Sequence, residues 1–191
     1  MARAKSEDKR NAILSAATEV FAERGLGAAT SAISHAAGVA EGTLFTYFKT
    51  KDDLVNALYR EIKLELADAM MSDFPRRASV RRRFQHVWDR YAEWGIANPQ
   101  QYKVLQQITV WGGLTEESRR AGIAPFLEIE KVAETAVAER VFLDRPLEFI
   151  AATMSALAET TIQFMRRSPA QADMYRNAGL EMLWAAVTRK S

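Results

Sequence analysis

The residues best suited to contact an anion lie in the stretch AAGVAEGTLFTYFKTKDDL, residues 36–54. Thr50 can cap the helix that follows, which places Lys51 in the first helical turn, where backbone N–H groups and the helix dipole attract anions. A lysine there is unfavourable for helix stability alone, but it suits an opposing phosphate. Tyr47 lies four residues earlier, and its hydroxyl can reach the same backbone. The pattern predicts contact with a nucleic-acid phosphate backbone.

The four residues AGVA lie between two short segments of helical period. Ala37 lets helices approach closely, Gly38 can adopt the positive φ of a sharp turn, and Val39 can plug the space behind it. This arrangement is typical of a helix-turn-helix, although an Ala-Gly turn also occurs in helical proteins that bind no DNA. We expect Phe45 and Phe48 to face inward and anchor the second short helix.

Composition limits the remaining classes of function. The chain has 191 residues, 48% of them hydrophobic, and no cysteine. It is long enough for one medium domain or two small ones, and the missing cysteines exclude disulfide scaffolds, thiolate zinc sites and cysteine nucleophiles. No apolar run approaches the roughly 20 residues of a membrane span, and the opening MARAKSEDKR lacks the apolar segment of a signal peptide. We therefore expect a cytoplasmic protein without membrane contact.

The formal net charge is only +2, so any contact with nucleic acid must be local. One basic cluster lies at the N-terminus, where we expect residues 1–6, with Arg3 and Lys5, to form a flexible arm that follows DNA. Basic tails also serve solubility, and that alternative stays open. A second cluster runs from Arg76 to Arg83, where we expect a solvated helix start with Glu65 and Asp68 nearby.

Every long segment has helical period, which predicts an all-α protein. Gly122 and Pro125 lie inside the seventh helix and predict a kink or a break there. Capping residues mark several starts, among them Thr50 with Asp53, Asn98 before Pro99, and Ser168 before Pro169. The predicted helices span about residues 5–24, 29–36, 40–47, 51–72, 76–96, 99–111, 115–140, 146–167 and 169–188.

The early helices are short and rich in small residues, whereas the later ones are long. This asymmetry predicts a compact head, residues 7–66, and a larger helical body, residues 67–191.

The segments ILSAATEVFAERG and ISHAAGVAEGTLFTYFKTKDDL resemble the N-terminal domain of TetR-family transcriptional regulators over residues 10–60. The resemblance implies a three-helix DNA-binding head whose third helix enters the major groove of double-stranded DNA. It further implies a homodimer, a palindromic operator, and a C-terminal body that binds a small-molecule inducer and dimerises through its last two helices. Repression of transcription is a further inference, because the same head could instead assist the polymerase.

The resemblance also implies which residues meet DNA. The positions carried across are Thr30, Ser31, Ala40, Glu41, Gly42, Thr43, Tyr47 and Lys51. We add Thr46 as a further reader on the third helix, and His35, which is either solvated or in contact with DNA. Glu41 is unusual because a carboxylate is repelled by phosphates. It either accepts a hydrogen bond from a cytosine amino group or turns away to pair with a cation, and we favour the second.

Aromatic residues at helical spacing in the body indicate a core or, with polar side chains among them, a ligand pocket. The predicted pocket residues are Trp88, Tyr91, Tyr102, Gln107, Trp111, Phe126 and Met154. Such a pocket suits an apolar or aromatic effector. Apolar stripes on the last two helices predict a dimer interface, with packing inside the chain as the alternative. Its predicted residues are Leu157, Thr161, Phe164, Leu180, Leu183, Trp184 and Val187.

Catalysis has little support in the sequence. Its two histidines, His35 and His86, have no metal-ligand or nucleophile-base spacing. We therefore expect no catalytic residue, no metal and no cofactor. One rival hypothesis is a helical small-molecule binding protein that never touches DNA. Another is a helical carboxylate enzyme, for which the required Glu-x-x-His pairs are missing.

Overall fold

A computed structural model describes residues 2–188, with side chains from Ser6 onward, and its regular elements in that range are helices. The only pairing of β type in this range is an isolated bridge between Phe142 and Thr188. No helix in the described range is both long and apolar enough to cross a membrane. The α-helices are α1 Ala2–Arg24, α2 Thr30–Ala36, α3 Glu41–Tyr47, α4 Lys51–Met71, α5 Val80–Ala97, α6 Pro99–Thr109, α7 Glu116–Ile123, α8 Leu127–Ala138, α9 Leu147–Arg167 and α10 Ala172–Val187.

The predicted all-α fold is confirmed, and most helix ends fall within a few residues of their predicted positions. The long seventh helix is divided into α7 and α8 by a 3-10 turn, Ala124–Phe126, which lies where Gly122 and Pro125 predicted a break. The chain therefore has ten described α-helices rather than nine. The helix α5 begins at Val80 instead of residue 76, because the Ser79 hydroxyl accepts the backbone N–H of Arg82 and caps the helix there.

The N-terminus differs from the expected flexible arm. Helix α1 extends back to Ala2, so residues 2–6 are helical, as suits a segment that contains neither proline nor glycine. The side chains of Arg3 and Lys5 lie outside the described part of the chain.

Helix starts follow the predicted capping chemistry only in part. Thr50 and Asp53 form a reciprocal capping box, in which the backbone N–H of each residue donates to the side chain of the other, at 3.1 and 3.0 Å. The side chains of Asn98 and Ser168 make no capping hydrogen bond. Proline follows each of them, and its missing N–H removes one of the donors that a cap would satisfy.

The chain divides into two compact units. Unit 1 contains residues up to 64 together with residues 98–123, so α6 and α7 join the predicted head. Helix α1 packs on α2 and α6, and Gln107 of α6 donates its amide to the backbone oxygen of Phe21 at 3.3 Å. The largest fully buried apolar side chains of this unit are Ile13, Phe21, Ile33, Leu44, Leu54, Leu58, Ile62 and Ile108.

Unit 2 contains residues 65–97 and the chain from residue 124 onward. Helices α5, α9 and α10 pack together around Trp88, which is fully buried and donates its indole N–H to the backbone oxygen of Arg176 at 2.8 Å. Gly179 permits this close packing. A Cβ atom there would lie 2.5 Å from Thr161 Oγ1 and 2.6 Å from Trp88 Cζ2.

Candidate nucleic-acid interface

Two short helices, α2 and α3, are held on unit 1 by their apolar residues. Ile33 and Leu44 are fully buried, and Phe48, just after α3, is 5% exposed. Burying these three side chains fixes the positions of both helices. The opposite sides of α2 and α3 then face solvent. The predicted DNA contacts that are exposed are Ser31, His35, Ala40, Glu41, Gly42 and Thr46.

The turn between α2 and α3 has the predicted geometry. Gly38 has a φ of +65°, in the left-handed region that favours glycine. Two backbone bonds close the turn, from Ala37 N to Ile33 O at 2.9 Å and from Val39 N to Ser34 O at 3.0 Å. The turn presents Ala40, as N-cap of α3, to solvent without a side-chain capping bond. Helix, turn and helix thus follow one another within 18 residues, from Thr30 to Tyr47.

Glu41 does not have the cationic partner that we expected. Its Oε1 accepts a hydrogen bond from Thr30 Oγ1 at 2.8 Å. Each of these residues is the first of its helix, so the bond connects the start of α2 to the start of α3. A carboxylate is also favoured at a helix N-terminus, where the dipole is positive. Glu41 is therefore held on the exposed surface by a neutral hydroxyl.

The aromatic residues of α3 have different environments. Phe48 is buried as predicted, but the prediction that Phe45 also faces inward was wrong, since its side chain is 40% exposed. Leu44 occupies the inward position, and the next residue of a helix is turned by about 100° from it. Thr46, predicted to read DNA, donates its hydroxyl to the backbone oxygen of Gly42 at 3.0 Å. Its oxygen remains able to accept.

Tyr47 and Lys51 lie at the end of α3 and the start of α4. The Tyr47 hydroxyl donates to Ser6 Oγ on α1 at 3.2 Å. The ammonium of Lys51 lies 5.9 Å from the centroid of the Phe21 ring. Both side chains are half-buried, so each is supported by the unit while part of it faces solvent.

Ser6 is a residue of this surface that sequence reasoning missed. No local pattern could have found it, because it lies 41 residues from Tyr47 along the chain. The remaining predicted contacts, Thr30 and Thr43, are half-buried on α2 and α3. Helices α2, α3 and the start of α4 thus offer hydroxyl groups, a phenol and a lysine, which are groups that bind phosphate oxygens and base edges.

The predicted ligand-binding residues are distributed over both units. Tyr102, Gln107 and Trp111 belong to unit 1. The other four belong to unit 2, namely Trp88, Tyr91, Phe126 and Met154. Trp88, Tyr91 and Tyr102 are buried and contribute to the cores of their units, whereas the rest are half-buried.

The predicted dimer residues are mostly used inside the chain. Thr161, Leu180, Leu183 and Val187 are buried within unit 2, because the apolar stripes of α9 and α10 face the chain's own core. Leu157 and Trp184 are half-buried, and Trp184 packs edge-on against Phe84 and Phe142. Of the seven, Phe164 is exposed, at 42%. In the described part of the chain, no group of three or more His, Asp and Glu side chains is placed to hold a metal ion.

Comparison with known proteins connects this geometry to a family. Residues 13–58 match the model of bacterial regulatory proteins of the tetR family. The fatty acid metabolism regulator protein of Bacillus subtilis (strain 168) is 36% identical over 76 residues, and the match covers 39% of each chain. The chain thus spans about two fifths of the length of this curated relative.

Solved structures resemble the chain over nearly all of its length. A TetR-family transcription regulator from Marinobacter aquaeolei VT8 has a TM-score of 0.86 at 20% identity, covering 98% of this chain and 100% of that one. The transcriptional regulator FadR from Bacillus subtilis, in complex with stearoyl-CoA, has a TM-score of 0.70 at 22% identity, covering 90% and 96%. These likenesses establish the fold.

The family match covers the exposed helix-turn-helix and the buried residues that hold it, and the remaining helices follow the fold of the solved regulators. Residues 13–58 therefore resemble the helix-turn-helix of the tetR family of bacterial regulatory proteins, and the whole chain has the fold of solved TetR-family regulators.

Proposed function

We propose that this chain is a DNA-binding transcription regulator of the tetR family, and that it is a repressor that binds a palindromic operator as a homodimer and is released from it by a small-molecule inducer. One observation carries the proposal. The solvent-facing side of the turn and α3 ends at Tyr47 and Lys51, while Ile33, Leu44 and Phe48 hold it from behind. In a helix-turn-helix, the second helix lies in the major groove and its neighbours contact phosphates.

The roles of the surface residues follow from their positions. Ala40, Gly42 and Thr43, near the start of α3, are the residues that reach base edges, since a recognition helix enters the groove by its N-terminal end. Glu41 lies among them and is held by Thr30. Tyr47 and Lys51 bind phosphates and set the position of the head on the duplex. Thr30 and Ser31 at the start of α2 contact the backbone on the other side of the groove. His35 and Thr46, both exposed, are further proposed contacts with DNA.

A homodimer is part of this proposal because a palindromic site is read by two heads related by a two-fold axis. Exposed apolar side chains on the last two helices support such an interface. On α9 these are Phe149 at 64% and Phe164 at 42%, and on α10 they are Met174 at 52% and Met182 at 64%. The interface proposed here therefore uses the outward sides of α9 and α10, next to the buried residues that the sequence indicated.

The dimer has its own test. Sedimentation velocity should give a dimer for the wild-type chain, and Phe164→Asp should shift it toward monomer. Ile96→Asp, at an apolar α5 residue of similar exposure, 37%, is the matched control and should leave the dimer intact. A wild-type monomer at micromolar concentration would refute the interface.

The similar proteins suggest a chemical class for the inducer. The related regulator from Bacillus subtilis is named for fatty acid metabolism, and a structure similar to this chain was solved with stearoyl-CoA. A long-chain acyl derivative is therefore the first class of effector to test. Phe126 and Met154, the half-buried predicted residues of unit 2, remain the proposed ligand contacts, whereas Trp88 and Tyr91 are core residues.

The experiment for the proposal combines selection and release. Genomic fragments retained by the protein should share a palindrome whose half-sites lie about one helical turn, or a multiple of it, apart. Stearoyl-CoA at saturation should then weaken binding to that operator, because coupling between two ligands is reciprocal. If saturating stearoyl-CoA leaves the operator affinity unchanged, long-chain acyl derivatives are excluded as effectors. If the retained fragments share no common site, the protein has no specific operator and the proposal fails. Transcription of the neighbouring gene should rise when the protein is removed, whereas a fall would identify an activator. Because a transcription regulator acts on chromosomal DNA, the proposal includes the cytoplasmic location expected from the sequence.

A further inference from the structure

A small cleft in unit 2 is lined mainly by cations. Its volume is about 150 Å³, and it lies between the α4–α5 connection, α5 and α8. Arg76 and Arg83 line it on one side and Lys131 on the other, with Glu128 as its one carboxylate. Phe74 and Val132 add apolar surface. Three positive charges against one negative charge leave an excess of two.

These cations are not equivalent. Arg76 forms a bidentate ion pair with Glu128, from Nε to Oε1 at 2.7 Å and from Nη2 to Oε2 at 3.1 Å. The Nε of Arg83 is buried and has no hydrogen-bond partner among the described residues. Lys131 makes no ion pair with any residue in the same described range. Glu128 therefore compensates Arg76 and leaves Arg83 and Lys131 for another anion.

A buried guanidinium N–H without an acceptor is unfavourable, so such a group in a folded protein calls for an explanation. An oxyanion in the cleft supplies one, since it gives Arg83 its missing acceptor and neutralises Lys131 at the same time. A phosphate monoester, with a charge between about −1.5 and −2 near neutral pH, matches the excess of two charges better than a single carboxylate does. The cleft is smaller than the roughly 300 Å³ or more of a complete drug-sized site, so it can hold a phosphate group rather than a whole ligand.

We propose that the cleft between Arg83 and Lys131 binds the phosphate group of a phosphorylated small molecule. Arg83 donates from Nε, Lys131 supplies the second charge, and Phe74 and Val132 contact the organic part next to the phosphate. That this molecule is the effector rests on the proposed regulator function. The binding of phosphate itself does not, because it is measured without DNA.

The test uses the full-length chain and inorganic phosphate as probe, in calorimetric titrations at constant ionic strength. Arg83→Gln should weaken phosphate binding about tenfold or more, since it removes a charge-assisted donor. Arg77→Gln, an exposed neighbour that does not line the cleft, is the matched control and should stay within about twofold of wild type. Glu128→Gln should bind phosphate more tightly, because it removes the competing carboxylate. A misfolded variant would lose phosphate affinity, so this gain in affinity cannot be an effect of misfolding.

Three results would overturn the proposal. The first is equal phosphate affinity in wild type and Arg83→Gln. The second is a loss of phosphate binding in Arg77→Gln as large as that in Arg83→Gln. The third is that the wild-type chain binds acetate as tightly as phosphate. Without phosphate, Arg83→Gln should unfold at a temperature no lower than wild type, since it removes a buried guanidinium N–H that has no acceptor among the described residues. If the wild-type chain binds operator DNA but not phosphate, the phosphate site is refuted and the regulator role is not. If it binds phosphate but no DNA, the regulator role is refuted and the phosphate site is not.

Discussion

Thr30 Oγ1 donates a hydrogen bond to Glu41 Oε1 across 2.8 Å, and so joins the first residue of α2 to the first residue of α3. Both residues lie on the side of the helix-turn-helix that is proposed to face DNA. The bond holds the Glu41 carboxylate where DNA phosphates are proposed to approach, and its donor is the neutral hydroxyl of Thr30. Glu41 should therefore oppose binding to DNA in general and orient the two helices relative to each other.

Glu41→Gln should raise the affinity for duplexes of any sequence by about fivefold at low salt, because it removes a charge that repels phosphates. Fluorescence anisotropy on the operator and on a scrambled duplex measures the effect. Thr30→Val is the matched control, since it breaks the hydrogen bond and keeps the charge, and it should not raise affinity. If Glu41 accepts from a cytosine amino group instead, Glu41→Gln will weaken operator binding and leave the scrambled duplex unaffected.

Tyr47→Phe should weaken DNA binding about three- to tenfold across sequences, which corresponds to one hydrogen bond to phosphate. Without DNA, the hydroxyl of Tyr47 donates to Ser6 Oγ at 3.2 Å. Ser6→Ala removes that intrachain acceptor and leaves the phenol free. The Ser6→Ala variant should bind DNA with an affinity equal to or above that of wild type. An equal loss in both variants would show that the contact with α1, rather than with phosphate, is what matters.

Gly179→Ala should lower the free energy of unfolding by about 1–3 kcal/mol, because the added Cβ meets Thr161 Oγ1 and Trp88 Cζ2 in a packed core. Urea denaturation gives the value. Gly42→Ala, with no heavy atom within 4 Å of its new Cβ, is the control and should change the free energy by less than about 1 kcal/mol. Similar values for the two variants would mean that α9 and α10 separate at little cost.

Lys63 should make stability depend on pH above neutrality. Burial lowers the pKa of its ammonium from 10.5 to about 8, because desolvation disfavours the charged form. Between pH 8 and 10.5 the unfolded chain then binds more protons than the folded chain, so the free energy of unfolding rises with pH through this window. Lys63→Met should remove this rise and should stabilise the chain near pH 7. Parallel pH profiles for the two chains would refute the shifted pKa.

Local chemistry accounts for what the sequence predicted well. The capping box of Thr50 and Asp53, the left-handed turn at Gly38 and the break near Pro125 each depend on residues a few positions apart. What could not be predicted depends on contacts between distant segments. The Thr30–Glu41 bond spans 11 residues and the Tyr47–Ser6 bond spans 41.

Helical spacing shows the same limit. It identifies an apolar stripe but not the partner against which the stripe packs. This is why Leu183 and Val187 lie in the core although they were predicted for a dimer interface. The opposite error concerns Phe45 on the short helix α3. This aromatic residue next to Leu44 was expected in the core but is exposed.

The central claim is that the surface ending at Lys51 binds DNA phosphate. It is tested most directly by the salt dependence of DNA binding for wild type and Lys51→Ala. Lys103→Ala, at an exposed lysine on α6, serves as the control. Binding should weaken steeply with salt in wild type, and Lys51→Ala should bind more weakly to all sequences with a logarithmic salt slope smaller by about one. Identical slopes for Lys51→Ala, Lys103→Ala and wild type, or DNA binding that does not vary with salt, would contradict the account.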